Sequence, residues 1–158
     1  SFPQTLDWRL PTPWEGKVRL LRFNIKTGEK YSYEPFSHHR GGIIAPPLII
    51  AKHKLCIVWD SINGGIAGIS YDNYKFKKNW EINIRPTMQP VYFEQSNELV
   101  INHFDDKSDH LIVIDVLRGK ILSKVNLRTP MANGMFLTPG FNNDILYCST
   151  LAISKVNW

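Results

Sequence analysis

The stretch HFDDKSDH (His103–His110) places three carboxylates and two imidazoles within eight residues. Asp105, Asp106 and Asp109 are hard oxygen donors of the kind Ca²⁺ takes, and His103 and His110 are the borderline donors that suit a transition metal. The stretch lacks the glycine and the terminal Glu of an EF-hand loop. Its plainer reading is a solvated loop between two strands, with the acids there for turn chemistry. A second cluster, SHHRGG (Ser37–Gly42), offers His38, His39 and Arg40 beside two glycines. Adjacent side chains on an extended segment point to opposite faces, so both histidines share one ligand only if the segment is a loop. In a loop, an imidazole with Arg40 and glycine amides suits an anionic ligand. In WDSINGG (Trp59–Gly65), Asp60 is either a residue facing a central channel or the start of a turn completed by Asn63-Gly64.

No GxSxG, Walker loop, HExxH or dinucleotide fingerprint occurs. Ser, His and Asp are present, but no spacing singles out a triad. Nineteen Lys and Arg against fourteen Asp and Glu give a modest net charge of +5. The densest basic patch, YKFKKNW (Tyr74–Trp80), interleaves aromatics, but it reads more simply as alternating strand residues. Nucleic acid is therefore not the expected partner. The two cysteines, Cys56 and Cys148, form no CxxC and read as small buried hydrophobes. They assign no compartment. No apolar run approaches the roughly 18 residues that cross a bilayer. No basic segment followed by an apolar one opens the chain. The first residue is Ser1, which fits a processed chain or a fragment.

The elements that carry these clusters recur along the chain. FNIKTGEKYSY (from Phe23), ISYDNYKFKKNW (from Ile69) and IDVLRGKILSKV (from Ile114) align without gaps, at spacings of 46 and 45 residues. Asn24, Ser70 and Asp115 coincide, and Gly28 and Gly119 share the turn position, which Tyr74 breaks. Upstream, HKLCIVWD, NELVINHF and NDILYCST set Leu55, Leu99 and Ile145 in register at spacings of 44 and 46 residues. Pro47 and Pro90 mark a further short strand, 43 residues apart. The unit is thus about 45 residues of four short strands, rich in Ile, Val, Tyr and Phe and bounded by Gly, Asn, Asp and Pro. No segment has a sustained helical period.

This pattern predicts an all-β chain of β-propeller blades, each of four antiparallel strands. Residues 46–86 and 90–130 are whole blades, 16–36 and 134–158 are partial ones, and 1–15 form an N-terminal extension. Its Trp8–Gly16 stretch suits packing on a missing blade or a dimer contact. Three to three and a half blades fall short of the roughly four to eight of natural propellers. The expectation is therefore part of a larger propeller, or a homodimer that closes a two-chain ring, or closure by a strand from the chain's own N-terminus.

The segment LIVIDVLRGKILSKV and its weaker copies LRFNIKTGEKYSY and IAGISYDNYKFKKNW resemble the repeats of quinoprotein-like β-propellers. Those repeats run apolar strand, Asp, Thr-Gly-Lys-type turn, then a strand often ending in Trp; Trp80 sits near that last place. The resemblance covers about Gly16 to Trp158 and implies fold rather than activity. Quinone-using members often carry adjacent cysteines and a calcium site, and this chain has no Cys-Cys pair. QPVYF and DHLIVIDVLRGKILSKVNLRTP also loosely resemble late strands of iron-dependent carotenoid-cleaving oxygenases. That family has an iron-ligating histidine near its last blade, whereas MANGMF (Met131–Phe136) has none. No cofactor is implied, with Ca²⁺ at the acidic cluster the one candidate. The expected role is a scaffold that binds a ligand or protein through inter-blade loops. The alternative is a fragment of a propeller enzyme (oxidoreductase, lyase or hydrolase) using His38, His39, Asp60 or His103.

Overall fold

A computed structural model of the chain describes residues 18–38, 46–72, 75–105, 107–127, 134–142, 144–149 and 153–157. The stretch assigned to an N-terminal extension, 1–15, lies outside them, as do His39, Arg40, Tyr74 and Asp106. The described residues form an all-β structure whose sole helical element is the single 3₁₀ turn Ala51–His53. None of its helices is long and apolar enough to cross a membrane.

Among the described residues, thirteen strands make four antiparallel sheets. The first is the hairpin β1 (Leu20–Phe23) and β2 (Lys30–Tyr33). The second runs in chain order through β3 (Leu48–Ile50), β4 (Leu55–Trp59), β5 (Ile66–Asp72) and β6 (Lys75–Ile82). The third repeats that order with β7 (Val91–Phe93), β8 (Glu98–Phe104), β9 (Asp109–Asp115) and β10 (Lys120–Asn126). The fourth holds β11 (Gly134–Pro139), β12 (Asp144–Ser149) and β13 (Ile153–Asn157).

The central strands β4, β5, β8 and β9 of the two middle sheets are rich in apolar residues because both of their faces are covered. Cys56, Val58, Ala67 and Ile69 meet Val18, Leu20, Tyr33 and Phe36 of the first sheet and its flanks. Leu55, Ile57, Trp59 and Ile66 turn the other way, against Leu99, Ile101, Ile112, Ile114 and Val116 of the third sheet. The far face of the third sheet, Val100, Leu111 and Val113, packs on Leu137, Ile145 and Tyr147 of the fourth. Four sheets therefore stack in chain order with three apolar interfaces between them.

This packing corrects one sequence register. The 44-residue spacing set Leu55 on Leu99, yet those two side chains face opposite directions along the stack. Cys56 pairs with Ile69, and Leu99 with Ile114, and all four point toward the preceding sheet. Cys56 is thus the counterpart of Leu99, at 43 residues, in step with the Pro47–Pro90 spacing. A one-residue slip in a strand reverses every side chain, and in a strand buried on both faces the hydrophobic pattern does not reveal it.

Two local devices recur. Asn24 Oδ1 accepts the Lys26 and Thr27 amides at 3.0 and 3.3 Å, and Asp115 Oδ1 accepts those of Leu117 and Arg118 at 3.0 and 3.2 Å. Each hairpin is closed by a glycine amide donating to the first carbonyl at 2.8 Å, Gly28 to Asn24 and Gly119 to Asp115, with the glycine at positive φ. The Asx side chain replaces the backbone partners the chain loses on reversing, and glycine takes the left-handed step without a Cβ penalty. Lys54 and Asn97, both at positive φ, likewise use their carbonyls to accept the Tyr71 and Val116 amides at 3.0 Å.

Candidate functional site

The turns at the ends of β4 and β8 lie beside the link that joins the second sheet to the third, residues 83–90. Gly65 donates to the Ile84 carbonyl at 2.6 Å, and Phe104 to that of Arg85 at 3.0 Å. His38 Nε2 meets the Gly64 carbonyl at 3.0 Å, which ties the segment after β2 to the same turn. Asp60 is buried and serves the turn: Oδ1 accepts the Ile62 and Asn63 amides, and Oδ2 accepts Asn63 Nδ2 at 2.8 Å. Of its two sequence readings, the start of a turn is the one its bonds display.

The described His and Asp residues of HFDDKSDH divide between two sides of the third sheet. Asp105 Oδ1 accepts the Lys107 and Ser108 amides, and its Oδ2 lies 2.8 Å from His110 Nε2. The His103 and His110 rings stack with centroids 5.9 Å apart. His103 Nδ1 accepts the Arg85 amide at 2.9 Å. The His110 hydrogen bond and the two turn amides hold the Asp105 carboxyl well below the usual carboxylate range. Burial, with Lys124 and His110 nearby, lowers His103, keeping it neutral and its Nδ1 free to accept. Asp109 points the other way, into the interface with the fourth sheet. It accepts Tyr147 Oη at 2.7 Å and Asn102 Nδ2 at 3.1 Å. So Asp105, His103 and His110 come together, and Asp109 leaves them because neighbouring strand residues face opposite sides. Among the described residues no three His, Cys, Asp or Glu side chains are placed to share a metal ion.

Sequence reasoning did not single out the network around Asn102. Its Oδ1 accepts the Thr87 and Met88 amides, both at 3.0 Å, and its Nδ2 also donates to Thr87 Oγ1 at 2.7 Å. The link is fastened to this buried amide directly, and the fourth sheet reaches it through Asp109, which binds both Asn102 and Tyr147. The available signal was one Asn inside the apolar run of β8. At the opposite ends of the strands, the turns after β3, β7 and β11 border an open cleft of about 640 Å³ lined by Lys52, Tyr92, Glu94, Ser96 and Phe141 among others. Beside it, His53 Nε2 and Tyr92 Oη both reach Asn97 Oδ1, at 2.7 and 2.9 Å. Burial, then the Glu94 carboxylate, pushes the Tyr92 hydroxyl up. This cleft was not anticipated either, because three turns about 45 residues apart build it.

The geometry at the link end is that of a fixed surface. Turns and link are bonded to one another, and half-buried His38, Arg85 and His103 stand among them. Compared with known proteins, the chain matches no family model, and no curated protein is similar to it.

Proposed function

We propose that the chain is a β-propeller-type scaffold that holds a peptide or protein ligand on the face built by the link of residues 83–90 and the turns after β4 and β8. Two meanders of identical strand order, stacked through both faces, favour a blade-like arrangement over a sandwich of two sheets. The first strands β7 and β11 come close to one another, as inner strands of neighbouring blades do. The observation that carries the binding role is the bonded frame of link and turns. A surface ordered before binding loses little entropy when a ligand arrives. An enzyme reading draws less support. Among the described residues, the His-carboxylate pair has its imidazole nearly covered and its Nε2 held by Asp105, whereas a general base must reach its substrate.

An array of random dodecapeptides probed with the labelled chain tests this. A shared peptide motif is expected, weakened by Arg85→Ala and His38→Ala and unchanged by Lys52→Ala at the opposite end. Binding lost with Lys52→Ala alone would move the site to the cleft, and no selection at all would refute the scaffold reading.

A further inference from the structure

The interior sheets show what covers each kind of face, and among the described residues no further sheet covers the outer faces of the two end sheets. Third-strand positions aligned in sequence face the preceding sheet. In the third sheet these are Ile112, Ile114 and Val116, at most 1% exposed; in the second, Ala67 and Ile69 are fully buried. Their counterparts in the first sheet are Leu21, Phe23 and Ile25, exposed by 56, 54 and 96%. The hairpin tells the same story. At Gly119, Trp80 of the preceding sheet lies so close that a Cβ would sit 2.4 Å from the indole Cγ, and Trp80 Nε1 donates to the Val116 carbonyl at 2.8 Å. At Gly28 the same hairpin has nothing within 4 Å of a Cβ.

On the opposite side of the fourth sheet, no other sheet of the described residues is packed. Val100 and Ile57, which face the following sheet from the third and second sheets, are fully buried. In the fourth sheet, Leu146 and Cys148 on that face are half-buried, and Phe136 and Ile153 beside them are 63 and 73% exposed. Register places these four together: Phe136 is opposite Cys148, and Cys148 opposite Ile153.

We infer that a second copy of this chain covers both faces, the fourth sheet of each copy packing on the first sheet of the other. The contact continues the sheet-on-sheet interface already formed three times inside the chain. The inference rests on the blade-like reading above for its closure. A head-to-tail contact generates a ring if the rotation closes and a filament if it does not. Two copies of four sheets fall at the upper end of the roughly four to eight blades of propellers.

The test is mass in solution by light scattering, on the full chain and on two variants at well-exposed positions, Ile25→Glu and Phe136→Glu. The wild-type chain is expected to form two-chain particles, and each variant alone to fall to single chains. An equimolar mixture of the variants should recover two-chain particles at higher concentration, because one of its two contacts is intact. Single wild-type chains at every concentration would overturn the inference and leave the blade-like reading standing. Masses that grow without limit would refute closure and with it the radial arrangement. Dissociation by Ile25→Glu alone, with no recovery on mixing, would mean that the first sheet pairs with itself, which also overturns it.

Discussion

Asp105 and Asp109 stand four residues apart in one acidic stretch, but the structure gives them different work. Asp105 caps a turn and holds His110; Asp109 is sunk between sheets and bound by Tyr147 and Asn102. The acids of that stretch were legible in the sequence, and their side of the sheet was not. The cluster makes stability fall on acidification. Unfolded His103 takes up a proton near pH 6.5, before the folded one does, so its contribution is complete above that pH and fades as pH falls toward its lowered folded value. Asp105 acts lower: its contribution is present above the ordinary Asp value of about 3.9 and is lost as pH falls through its depressed folded value. Urea unfolding at successive pH values should show midpoints declining below about pH 6.5. In His103→Gln, which keeps an acceptor for the Arg85 amide, the upper part of the decline should flatten. An unchanged profile would assign it to another group.

At the scale of the element, the hairpins were the most readable part of the chain. The glycines at the shared turn position predicted the turns at Asn24–Gly28 and Asp115–Gly119, because the residue that must take positive φ lies within the turn itself. One second strand, β4, was misread by one residue, because a strand buried on both faces carries no alternation to fix its register. The two glycines separate local from tertiary cost. Gly28→Ala meets only the left-handed backbone penalty, about 1–2 kcal/mol. Gly119→Ala adds a methyl against the Trp80 ring, a further ~1–3 kcal/mol of overpacking. Denaturant melts of the two variants should differ by that second amount. Equal losses would show that Trp80 moves aside without cost.

At the scale of the whole molecule, the stack is joined by apolar faces and by a few cross-links of specific geometry. Trp80 is the chief one: it is buried between Gly68 of its own sheet and Gly119 of the next, and its indole N–H is bonded there. Trp80→Ala should cost about 3–5 kcal/mol, the usual range for emptying a large aromatic site. Hydrogen exchange should then accelerate in β5, β6 and β9 together, since both sheets lose the same anchor. Acceleration confined to the second sheet would show that the third is held without it.

The sequence by itself determined that the chain is all-β, where its hairpins turn, and that four groups of short strands follow one another. These rest on propensity, turn chemistry and spacing, which act over a few residues. The tertiary structure alone decided which face each strand presents, which polar residues meet and which faces stay bare. Asn102 and Tyr147, Trp80 and Gly119, and Leu21 and Phe136 at opposite ends of the stack are related only through packing between distant segments, which nothing in a local window encodes.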